Sequence, residues 1–186
     1  MTGERVRSGD EVRPRQPGPQ QQRGLWFDEF RAGQTFVSPG RTITEADVVN
    51  FAALSGDWNP MHTDATFARR TPFRQRVAHG MLVESVATGL GVRTGIFDGT
   101  IAALTDMVIH WRNPCLIGDT VTLELEVAAV DAQPSRRSGK IHFLAVIRNQ
   151  DGKVLIDGEW WTLMNRDRSR DATPGANDGN QQGTEA

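Results

Sequence analysis

Apolar residues recur along this chain with two different periods. In the first half they fall on helical faces. Val48, Phe51 and Ala52, with Ser55, share one side of a stretch that Thr44 can cap, that carries Glu45 and Asp47 in its first turn, and that Gly56 can end. Ahead of it, residues 34–38 (QTFVS) alternate polar and apolar side chains, as a half-buried strand does, and Pro39-Gly40 closes the run. Asp64 is placed to cap a short helix through Phe67 and Ala68 that stops before Pro72. Residues 80–92, GMLVESVATGLGV, are apolar on nearly every side except at Glu84, which predicts a helix buried all round.

In the second half the period drops to two. Val121, Leu123, Leu125 and Val127 alternate with Thr122, Glu124 and Glu126, and residues 101–111, 141–148 and 154–164 are also strand-like. Asn149-Gln150-Asp151-Gly152 supplies turn chemistry between the last two. Helices early and antiparallel strands late predict an α+β fold in which a curved sheet wraps one apolar helix. A sheet of about five strands leaves an edge that a second copy can extend, so a homodimer is expected.

The 186 residues suffice for one domain with its own core. Their composition, 38% hydrophobic and 24% charged, is polar for such a domain, and the excess sits at the ends. Residues 1–24 and 166–186 are rich in Gly, Pro, Gln, Arg and Asp and cannot offset the entropy of ordering, so both are expected to be disordered tails around a domain of residues 25–165. A net charge of −2 gives no reason to expect nucleic acid or an acidic membrane as partner. No apolar run has the length of a secretory signal or a membrane span. The single cysteine, Cys115, cannot form an internal disulfide, which fits a reducing compartment and a cytoplasmic location.

Chemistry concentrates in residues 55–64, SGDWNPMHTD. Pro60 pushes Asn59 toward extended geometry, so Asp57 and His62 are expected on a loop, not on one regular helix. A tight loop can bring a carboxylate and an imidazole to one side, where they hold a water and pass its proton. The alternative is that Asp57 and Asn59 cap a turn and His62 caps a helix, and the segment by itself fits either role.

The longer segment Phe51-Ala52-Ala53-Leu54-Ser55-Gly56-Asp57-Trp58-Asn59-Pro60-Met61-His62, followed by Ala78-His79-Gly80-Met81, resembles the hydratase motif of the MaoC-like family of (R)-specific enoyl-CoA hydratases and dehydratases. The likeness continues through Trp111-Arg112-Asn113-Pro114 and Gly118-Asp119-Thr120. It implies a hot-dog fold and a lyase that adds water to a 2-enoyl-CoA or removes it from a 3-hydroxyacyl-CoA, with coenzyme A or an acyl carrier protein as carrier and no cofactor. Asp57 and His62 match the family's catalytic pair, and Gly80 matches the glycine whose backbone N–H polarises the thioester carbonyl. The resemblance gives supporting roles to Asn59, which would hold the loop, to His79, which would orient the helix start, and to Thr88, at a position where relatives often carry a serine. Trp58 would narrow the pocket.

Other readings remain open at this point. Glu84 on the central helix is the feature that favours a hot-dog thioesterase, and a noncatalytic acyl-CoA-binding subunit is a further alternative. Asp57, His62 and Asp64 match no specific metal motif, so no metal is expected. His110 and His142 read as satisfied sheet residues. Arg69, Arg70, Arg74 and Arg76 read as a solvated face whose position also suits the phosphates of coenzyme A.

Overall fold

The computed structural model describes residues 23–131 and 137–167, so the tails expected at 1–24 and 166–186 lie almost wholly outside the described residues. At the domain's limits, Gly24 and Leu25 pair through their backbone N–H groups with Asp98 and Ile96, and Arg166 bonds Asp28 at 2.8 Å.

After a 3-10 turn at Phe27–Glu29 come strands β1 (Thr35–Val37) and β2 (Arg41–Thr42) and then helix α1 (Glu45–Ser55). Thr44 and Asp47 form a reciprocal capping box at its start. Gly56, at φ 77°, ends it in the left-handed conformation that glycine adopts at least cost. Two single-turn helices follow, α2 (Pro60–Thr63) and α3 (Ala65–Ala68), and Asp64 caps the second through the N–H groups of Thr66 and Phe67. The long helix α4 (Gly80–Arg93) leads into four long strands: β3 (Ile101–Trp111), β4 (Thr120–Asp131), β5 (Ser138–Arg148) and β6 (Val154–Asn165).

The sheet order is β1-β4-β5-β6-β3, with β2 pairing β4 beside that path, and every pairing is antiparallel. The two-residue alternation read from β4 is realised: Val121, Leu123, Leu125 and Val127 are all buried on one face. They meet Leu82, Val83, Ala87 and Leu90 of α4 in a single apolar cluster with Phe143, Ile147 and Trp160. Each such aliphatic side chain contributes about 1.5–3 kcal/mol by leaving water. A sheet curled around one apolar helix is the arrangement anticipated from the two periods, and it is the hot-dog fold that the family resemblance implies.

Helix α4 departs from expectation in one respect. It is not buried all round: Met81, Ser85, Gly89 and Val92 form an exposed stripe. The sheet covers only one side of the helix, and none of the described residues covers the rest. The β3 edge is likewise open, with Leu104, Val108 and Trp111 exposed.

Candidate active site

The segment after α1 is set by successive side-chain-to-backbone turns. Ser55 Oγ accepts from Asp57 N–H, Asp57 Oδ1 accepts from Asn59 N–H at 3.2 Å, and Asn59 Oδ1 accepts from Met61 N–H at 3.1 Å. Asn59 is thereby the N-cap of α2, and Pro60 takes the first helical position, where its missing N–H costs nothing. His62 therefore stands in a helical turn, not in the loop expected from Pro60, whereas Asp57 does lie in the connecting loop.

His62 is 8% exposed, and its Nδ1 lies 2.8 Å from the carbonyl oxygen of Val77. A carbonyl only accepts, so Nδ1 carries the hydrogen and the neutral ring keeps Nε2 as an acceptor. The tether is reciprocal, because Val77 N–H donates to Met61 O and the next residue, Ala78, donates to Cys115 O. His79, the N-cap of α4, is held in the same manner from its other nitrogen, with Nε2 donating to the backbone carbonyl of Asp57 at 2.9 Å. The two imidazoles stack at 3.9 Å between centroids, inclined by 28°, and Phe51 packs on His79 at 5.1 Å. His79 Nδ1 is buried and has no hydrogen-bond partner.

A ligating atom from each of Asp57, His62 and His79 lies within 4.8 Å of the others. The Asp57–His62 proximity suits two acceptors on one water. It suits a metal less well, since imidazole lone pairs lie in the ring planes and stacked rings aim them side by side rather than at one ion. These residues and Gly80 line a cavity of about 660 Å³ whose walls are otherwise mostly apolar, with Phe51, Phe73, Val83, Trp111, Leu155 and Ile156 among them. Gly80 opens the 14-residue α4, so its N–H has no carbonyl a turn earlier to bond and sits at the positive end of the helix dipole. A Cβ at this position would run into the Trp111 indole, so the close approach of the two requires glycine.

The remaining anticipated residues divide. Asn59 caps α2 and lies outside the cavity wall, as does Trp58, which is 54% exposed. Thr88 also stands outside the wall, with its hydroxyl donating to Ser85 O at 2.8 Å. Glu84 is buried and accepts from Trp160 Nε1 at 3.0 Å, away from the cavity lining. His142 bonds Glu159 at 2.6 Å and stacks on Trp161, and His110 faces Asp157, all outside this cavity. Arg69, Arg74 and Arg76 border a separate, smaller cleft, where Arg76 is paired with Glu45.

Sequence reasoning gave no role to Trp111 or Cys115, both of which line the cavity. Trp111 stood in a quoted motif, but its contact with Gly80 links positions 31 residues apart and has no local signal. Burial and the nearby Asp119 push the Cys115 thiol up to about 12, so it is no ready nucleophile.

Known proteins place the fold in a family. The chain is 34% identical to a 3-hydroxybutyryl-CoA dehydratase of Methylorubrum extorquens over 82% of its own length and 90% of that protein's. It is 33% identical to an (R)-specific enoyl-CoA hydratase of Rhodospirillum rubrum over 72% of its length and 88% of the relative's. The solved structure of an R-hydratase from Pseudomonas aeruginosa in the unliganded form superimposes with a TM-score of 0.67 at 30% identity, covering 77% of this chain and 88% of that one. The family model for the MaoC like domain matches residues 29–143, which span the Asp57–His62 segment, α4 and the strands through Phe143, and this chain belongs to that family.

Proposed function

We propose that this protein hydrates a 2-enoyl-CoA to a 3-hydroxyacyl-CoA, or runs the reverse dehydration, with Asp57, His62 and Gly80 as the catalytic groups. The observation that carries the reading is the proximity of Asp57 and His62 in an apolar cavity, beside the start of α4. With His62 Nδ1–H held by Val77, its Nε2 and the Asp57 carboxylate are both acceptors. They hold the two hydrogens of one water and leave an oxygen lone pair for C3. As the C3–O bond forms, the pair takes one proton from the water and the C2=C3 electrons move into an enolate whose oxygen accepts from Gly80 N–H. The proton then passes from the pair to C2, on the same face. General acid–base action of this kind is worth about 10²–10⁴-fold and one oxyanion donor about 10²–10³-fold.

Coenzyme A is the proposed carrier. Among the described residues no helix is long and apolar enough to cross a membrane. Glu84, the feature that favoured a thioesterase, is turned to Trp160 and lies outside the cavity wall. A second copy is the proposed occupant of the open β3 edge and the exposed stripe of α4. Loss of the conjugated enoyl-thioester absorbance without release of free thiol tests the reaction. Thiol release at the rate of substrate loss would instead mean thioester hydrolysis.

A further inference from the structure

Glu84 has no part in the chemistry above, yet it is a carboxyl only 3% exposed in the centre of the fold. The other buried acid among the described residues, Asp119, is explained by its turn, since it accepts from Leu116 N–H and from Gln150. Glu84 has one hydrogen bond, from the Trp160 indole, although a carboxyl can accept several. Burial raises its pKa, which adds to the cost of keeping an acid where an alanine or leucine would pack.

Its position supplies a reason. On α4, Val83 lines the catalytic cavity and Glu84 is the next residue; on β6, Leu155 and Ile156 line the cavity, with Gly158 and Trp160 farther along the strand. Adjoining Ile156 is a second space, lined by Glu84, Val108, Ile147, Asp157, Gly158 and Trp160 among others and too narrow to admit a water. Ile156 is the wall common to both. Ile156 thus stands between the apolar cavity and the space beside the Glu84–Trp160 hydrogen bond, which ties α4 to β6.

We propose that the Glu84–Trp160 pair is the inner stop of the acyl pocket and makes this enzyme selective for short, crotonyl-like 2-enoyl thioesters. This rests on the hydratase reading above. A longer acyl tail pressing past Ile156 has to part the indole N–H from the carboxyl and leave both buried without partners, a cost beyond simple crowding. Discrimination of even one methylene in an apolar pocket is worth roughly 10–200-fold, so a stop of this kind shows clearly in kcat/KM.

The test is kcat/KM for crotonyl-, hexenoyl-, octenoyl- and decenoyl-CoA with the wild type, Glu84→Ala, Glu84→Gln and Trp160→Phe. The wild type should fall by at least about 10-fold from crotonyl to octenoyl. Glu84→Ala and Trp160→Phe should each raise the octenoyl-to-crotonyl ratio by about 10-fold or more, whereas Glu84→Gln, which keeps the volume and an oxygen for the indole, should keep the wild-type profile. A purely structural role would lower the melting temperature and scale all chain lengths together with the ratio unchanged, which overturns the proposal. A flat wild-type profile overturns it without any variant. Turnover of none of the thioesters would sink the hydratase reading and this proposal with it.

Discussion

The imidazole of His62 stacks on that of His79 at 3.9 Å, and each ring is fixed by a backbone carbonyl at the opposite nitrogen, Val77 for His62 Nδ1 and Asp57 for His79 Nε2. His79 thus ties the loop that carries Asp57 to the ring of His62. Under the proposed mechanism it is a positioning residue, acting on the water through these two neighbours.

His79→Ala should lower kcat by about 10²-fold, the size of effect that a misplacement of about 1 Å produces, while KM changes little. His79→Gln retains a side-chain N–H that can reach the Asp57 carbonyl and should recover part of the loss. Steady-state kinetics of both variants checks this. Equal kcat values for the two, or a loss confined to KM, would contradict the positioning role.

At the start of α4, Gly80→Ala should leave the fold intact, because Trp111 is 56% exposed and can swing aside to admit the methyl group. The displaced indole then leaves the cavity wall, and the methyl group obstructs approach to the backbone N–H. Turnover should fall by about 10²–10³-fold, as for a lost oxyanion donor. Circular dichroism together with kinetics separates this from simple misfolding. Wild-type turnover with a displaced Trp111 would remove Gly80 from the mechanism.

Several of these features were legible in the sequence, and the others were not for identifiable reasons. Thr44 as N-cap and Gly56 as terminator marked the ends of α1 because caps are local chemistry. The alternation from Val121 to Val127 placed β4 and its buried face because the period of a strand is local as well. His62 was expected on a loop because Pro60 was read as a breaker, whereas proline at the first position starts a turn of helix. The exposed stripe Met81, Ser85, Gly89 and Val92 was missed because an apolar sequence cannot say how much of a helix the sheet will cover. Asp57 and His62 stood out by their spacing and by the motif around them. The bond from His79 to the Asp57 carbonyl and the approach of Trp111 to Gly80 arise only when distant segments meet.

Glu84 should leave a signature in the pH dependence of stability. Burial holds its carboxyl above the ordinary carboxylate range, so the folded state favours the protonated form. That contribution is fully present below the unfolded value, about 4.3, and is lost as pH rises through the raised one. Glu84→Gln keeps an acceptor for the Trp160 N–H and does not ionise. It should match the wild type in melting temperature below the unfolded value and become progressively more stable than it as pH rises through the raised one. A difference between the two proteins that does not change with pH would mean that Glu84 is solvated in solution.

If Asp57 and His62 act on one water, a double-mutant cycle on turnover reveals their coupling. Asp57→Asn and His62→Gln should each depress kcat by about 10²-fold or more with melting temperature and KM nearly unchanged, since each removes an acceptor and keeps the shape of the site. The double variant should be little slower than the slower single one, because a water released by one partner is no longer aligned for the other. Losses that multiply in the double variant, or full activity in either single one, would contradict a shared water.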